Sequence, residues 1–172
     1  NLYINIIRGT PMLVQILIIY FGLGQMLRPT GFRWLNIGGT FTAGTVALSL
    51  NAGAYMAEIV RGGIEAVEKG QIEAARSLGL TYGKTMKKIV LPQALRTMLP
   101  SIINQFIISI KDTSLLSVIG LTELTNVGKT IAATQSAHMM VIYCFMACYY
   151  LFICTVLAQV SKVVEKRLSY GK

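Results

Sequence analysis

The chain has 172 residues, 53% of them apolar and 13% charged, with a formal net charge of +9. A soluble domain carries about 25% charged residues, and a mean hydropathy of +0.58 leaves too little water-facing surface for a basic nucleic-acid binder. Disorder, a collagen repeat and a disulfide scaffold are excluded by the same numbers, which leaves an integral membrane protein of a single domain over residues 1–172, its apolar runs read as an all-α fold.

The chain opens at Asn1-Leu2-Tyr3-Ile4 with neither an initiator Met nor a signal-peptide pattern, so a preceding segment is expected. Four stretches then approach the roughly 20 residues of one crossing. The first covers 12–27, just after Pro11, a residue suited to a helix start. The second covers 40–60. The third is clean from 94 to 110, where Lys111 and Asp112 interrupt it, and the fourth, 139–160, carries no charge.

Charge placement orients these spans. Residues 61–96 hold seven Lys/Arg against three acids, the tail 162–172 holds four against one, and Arg8 adds one more. Eight of the nine net charges thus lie in three zones that four spans place on one side, which the positive-inside rule makes the cytoplasm. The opposite loops carry only Arg28, Arg33, Lys111 and Lys129 as cations.

The cytoplasmic segment at about 61–95 is too long for a plain connection. Its QIEAARSL run, 71–78, favours helix, with Glu73 in the first turn, and Gly79 suits a left-handed terminating residue. Beyond it Tyr82, Met86, Ile89 and Val90 share one face, with Lys84, Lys87 and Lys88 largely opposite, before Pro92 ends that helix or starts the next. The expectation is helix–Gly–helix lying across the cytoplasmic ends of the spans. Small Ala74, Ala75 and Gly79 suit a partner groove better than a lipid surface.

The run EAARSLGLTYGKTMKKIVLPQAL resembles the EAA-loop signature of bacterial ABC importer permeases. The stretches RGTPMLVQ (8–15), LSLNAGAYMAEIVRGGIEAVEKGQ (48–71) and NQFIISIKDTSLLSVIGLTEL (104–124) are similar to its polar amino acid branch. Val67-Glu68 departs from the pattern, where an Ile-Pro or similar pair is expected. The resemblance implies a polytopic helical permease domain of at least five spans, so that one precedes Asn1, in the bacterial cytoplasmic (inner) membrane. It also implies a second permease subunit (identical or a paralogue), two cytoplasmic ATP-binding subunits that hold ATP and Mg²⁺, and an external substrate-binding protein. Glu73, Ala74, Ala75 and Gly79, with Ile89, Leu91 and Pro92, are the matched coupling positions. The implied function is translocation of polar amino acids by alternating access. Another small solute, or a scaffold or channel without an ATPase, are the alternatives.

No chemistry of the chain's own is expected, so it is read as a non-enzymatic subunit without a cofactor or metal. Gly128-Lys129-Thr130 ends like a phosphate-binding loop, but the position needing the earlier Gly is Glu123. His138 stands alone and is read as an interfacial polar residue, and Cys144, Cys148 and Cys154 as packing or lipid-facing thiols.

Polar residues within apolar spans face protein or a water-filled cavity. Asn51, Asn104, Gln105 and Asp112 are the candidates for a substrate pathway, with helix–helix hydrogen bonding as the competing reading. Glu58 is read as structural because of nearby Arg61, and Gln15 as packing.

Overall fold

The computed structural model describes residues 2–169; Asn1 and residues 170–172 of the basic tail lie outside them. Among the described residues every regular element is helical. Helix α1 (Leu2–Arg8) and helix α2 (Met12–Met26) meet at an angle of 109°. Pro11 causes the break: it has no N–H to donate and sits extended at φ −65°, ψ 138°. Side chains take up the carbonyls freed there. Thr10 Oγ1 donates to the Ile6 carbonyl at 2.8 Å, and Gln15 Nε2 to the Ile7 carbonyl at 2.7 Å. Two short 3₁₀ turns, Arg28–Thr30 and Trp34–Ile37, lead to α3 (Gly39–Glu65) and then α4 (Lys69–Ser77). Helices α5 (Tyr82–Ile119), α6 (Leu124–Thr134) and α7 (Met139–Ser169) complete the order.

Two helical segments, Tyr82–Ile119 and Ser136–Val163, are both long and apolar enough to cross a membrane, and the bent α1–α2 pair makes a third if it is one span. Apolarity alone therefore does not deliver the expected four. At 27 residues α3 is long enough, about 40 Å by helical rise, but small residues together with Asn51 and Glu58 dilute its hydropathy. Those small residues place it at the centre of the bundle. Ala43, Gly44, Ala47, Ala54 and Gly63 are buried, and α3 packs on α1, α2 and α5. A Cβ at Gly63 would stand 3.0 Å from Met98 Cβ and 3.3 Å from the Ala94 carbonyl, so glycine there sets how closely α3 and α5 approach.

Two apolar clusters hold the bundle. Ile16, Ala47, Leu116 and Ile119 form one, and Val67, Val90, Ala94 and Met98 the other. Arg8 and Arg61 both reach Glu58, at 3.3 and 2.5 Å, which brings two of the three basic zones to one end of the bundle. Lys162, at the start of the third, shares a cavity with Ile59 and Pro100. Glu58 is thus a structural ion-pair centre, as expected.

The segment expected on the cytoplasmic side differs from its expected form. Helix α4 ends as anticipated, with Gly79 at φ +82°, and the Leu80 N–H donates to the Ala75 carbonyl while the Gly79 N–H donates to that of Arg76, a Schellman-type cap. Tyr82, however, does not start a separate surface helix. It starts α5, which continues through a π-helical stretch, Met86–Val90, and over Pro92 into the membrane helix. Proline removes one N–H and needs room beside the carbonyl four residues back, and a widened turn just before it supplies that room. The connection proper is 66–81 rather than about 61–95. Ile89, Leu91 and Pro92 belong to the base of a span.

Candidate functional site

The positions matched to the EAA-loop signature sit on two different elements. On α4, Glu73 and Ala74 are exposed while Ala75 is buried, and Gly79, just past its end, is exposed. Ala75 and half-buried Ile72 turn inward, Ile72 against the Val67–Val90–Ala94–Met98 cluster. Gln93 Nε2 on α5 donates to Gln71 Oε1 on α4 at 2.6 Å. The outer face of α4 is exposed while its inner face is fastened to the foot of α5 and, through Ile72, to the cluster around Val67. Ile89 is half-buried; Leu91 and Pro92 lie beside it at the foot of α5. Sequence reasoning missed Leu78. This leucine is 85% exposed beside the Gly79 cap, on the same outer side as Glu73 and Ala74.

The polar candidates separate into two neighbouring cavities. One, of about 370 Å³, is lined by Asn51 and Tyr55 from α3, Gln105, Ile108 and Asp112 from α5, and Thr10–Met12 from the α1–α2 bend. The structure thus brings Asn51, Gln105 and Asp112 together. Asn104 is exposed and lies in the second cavity, about 540 Å³, with Ser101, Ser161 and Lys162. Gln105 lines both.

Asn51 also has a structural role. Its Nδ2 donates to Gln15 Oε1 at 2.9 Å, while Gln15 Nε2 donates to the carbonyls of Ile7 and Thr10 and to Thr10 Oγ1. Gln15, read from sequence as packing, is instead a buried hub tying the bend to α3. The signal available in sequence was an amide four residues after a proline-induced break, where freed carbonyls need donors. Asp112 forms no ion pair with Lys111 or with any other described cation, and the Gln105 amide has no hydrogen-bond partner among the described residues. An anionic acceptor and a free amide therefore face one cavity, a pairing able to hold a small zwitterion by its ammonium and a polar group.

The phosphate-loop lookalike is a helix. Glu123 Oε1 and Oε2 accept from the N–H groups of Asn126 and Thr125 at 2.6 and 2.8 Å, capping α6. Gly128 abuts Met146 of α7, whose Sδ an added Cβ would meet at 2.0 Å.

Comparison with known proteins places the fold and the family. The glutamine transport system permease protein GlnP of Escherichia coli (strain K12) is 45% identical over 166 residues, covering 96% of this chain and 73% of that protein. The L-cystine transport system permease protein TcyB of Bacillus subtilis (strain 168) is 42% identical, covering 98% and 68%. The crystal structure of an amino acid ABC transporter with histidines superposes with a TM-score of 0.85 at 39% identity, over 96% of this chain and 73% of that one. An inward-facing MetNI methionine ABC transporter shares the fold at a TM-score of 0.76 and 17% identity. Residues 1–170 match one family throughout, and the chain belongs to it: the binding-protein-dependent transport system inner membrane components.

Proposed function

We propose that this chain is the membrane-spanning subunit of an ABC importer that moves polar amino acids across the bacterial inner membrane by alternating access. The observation that carries the reading is the cavity in which unpaired Asp112 and the free amide of Gln105 face Asn51 and Tyr55. The carboxylate accepts the substrate ammonium, and the amides accept or donate to its carboxylate and polar side chain. Relatives named for glutamine and cystine transport support a polar amino acid as cargo. Asn104, on the wall of the larger cavity, extends the pathway toward the basic end of the bundle.

ATP and Mg²⁺ belong to two cytoplasmic ATPase subunits, and this subunit performs no hydrolysis. An external binding protein delivers the solute, and a second permease subunit completes the pathway. The ATPase cleft receives α4 through Glu73, Ala74, Leu78 and the Gly79 cap. Closure of the ATPase pair displaces α4, and the Gln71–Gln93 bond and the apolar cluster beneath it carry the motion to α3 and α5.

The test is uptake by the full complex in proteoliposomes, with ATPase activity measured in parallel. Asp112→Asn lowers uptake about tenfold, the loss of one charge-assisted contact, and leaves basal ATPase activity in place. Gly79→Val forces a β-branched residue to φ +82° and separates hydrolysis from uptake. Full uptake by both variants sinks the assignment.

A further inference from the structure

The positive-inside rule disfavours Lys and Arg in the loops away from the cytoplasm, yet Arg28 and Arg33 stand five residues apart in the connection between α2 and α3. Both are exposed, and neither pairs with a carboxylate among the described residues. They line a cavity of about 420 Å³ together with Tyr20, Phe21, Phe32 and Trp34. Its aromatic wall is fixed in place. The Trp34 indole N–H donates to the Tyr20 carbonyl at 3.0 Å, and Phe32 meets Trp34 edge-on at 5.1 Å. The indole also lies against Gly24, where an added Cβ would come within 3.1 Å of the ring.

We propose that this loop binds the phosphodiester headgroup of an anionic phospholipid in the external leaflet. The inference rests on the orientation read from the charge zones and not on the identity of the transported solute. Two guanidinium forks are matched to phosphate oxygens, and Trp and Tyr favour the headgroup level of a bilayer. The apolar side of the site selects an amphiphile over a free anion: Leu35 is 82% exposed and Phe21 55%, with Met26 and Phe41 exposed nearby. An acyl chain covers such a face. A second identical copy has no free anion to offer there. The acids outside the cytoplasmic zones are Glu58, Asp112 and Glu123. Glu58 is held by Arg8 and Arg61 at the cytoplasmic end, Glu123 caps α6, and Asp112 faces the inner cavity.

The test measures binding of dioleoylphosphatidylglycerol and dioleoylphosphatidylcholine to the detergent-purified full complex by native mass spectrometry, for wild type and R28Q/R33Q. Both arginines are exposed loop residues, and unchanged thermal midpoints verify that the variant is folded. Phosphatidylglycerol binds in preference to phosphatidylcholine, and the double variant weakens that binding roughly thirty-fold, from two basic residues near an anionic headgroup. Equal binding of the two lipids, or unchanged binding by the variant, overturns the proposal. Displacement of the lipid by millimolar inorganic phosphate also overturns it and assigns the site to free anions. If R28Q/R33Q keeps its lipid but loses stimulation by the external binding protein, the arginines are a protein contact and the lipid assignment falls. Retained basal ATPase activity and retained uptake at saturating binding protein separate failure here from failure of the importer reading.

Discussion

Gly62 and Gly63 are adjacent on α3 yet occupy opposite environments, which makes them a matched pair for measuring the α3–α5 contact. A Cβ at Gly62 meets nothing within 4 Å, whereas one at Gly63 lies 3.0 Å from Met98 Cβ, 3.1 Å from Met98 Cε and 3.3 Å from the Ala94 carbonyl. Alanine in place of a helix-interior glycine gains up to about 1 kcal/mol at either position. At Gly63 the same methyl must push apart two packed helices, an overpacking cost of about 1–3 kcal/mol. The methionine tip can move, but its Cβ and the Ala94 carbonyl cannot without displacing α5. Gly62→Ala is therefore neutral to stabilising, and Gly63→Ala is less stable than Gly62→Ala by about 1–3 kcal/mol, near 2–4 °C in thermal midpoint per kcal/mol for a chain of this size. Thermal unfolding of the purified complex in one detergent, followed by a fluorescent thiol probe or by loss of monodispersity, reads the difference. A Gly63→Ala variant as stable as Gly62→Ala would mean that α3 and α5 do not pack closely at this point, and the route from α4 into the bundle would lose its geometric basis.

Two other substitutions probe single contacts. Gln15→Leu leaves the Asn51 amide and the Ile7 and Thr10 carbonyls without their partner and costs about 1–3 kcal/mol. Adding Asn51→Leu costs little more, and a thermal double-mutant cycle with no coupling between the two sites refutes the hub. Glu123→Ala removes both capping bonds of α6 and lowers stability by about 1 kcal/mol while leaving basal ATPase activity unchanged. Glu123→Gln keeps one acceptor oxygen and loses less; a Glu123→Ala variant with an unchanged thermal midpoint refutes the capping role.

Class and the α4 helix with its Gly79 cap were legible before any coordinates, because each follows from local composition or from short-range hydrogen bonding. Apolar runs report on solvent, cation counts report on membrane side, and a glycine after a helical run reports on φ. The EAA-loop resemblance added the family, and the match over residues 1–170 agrees with it. Three features were decided only by tertiary structure. Pro92 reads locally as a helix boundary, yet burial of Val90 and Ala94 against Val67 and Met98 carries α5 straight past it on a widened turn. Gln15 reads as one polar residue in an apolar run, and its role emerges only when the α1–α2 bend brings freed carbonyls and Asn51 to its amide. Asn51, Gln105 and Asp112 are each expensive in a membrane, and sequence could mark them as suspects. Which of them share a cavity depends on the rotation of α3 against α5, set by small residues whose packing has no signature in a linear pattern. The chain's chemistry with its solvent is thus written locally, whereas the cavity shared by Asn51, Gln105 and Asp112 exists only once two distant helices turn these faces toward each other.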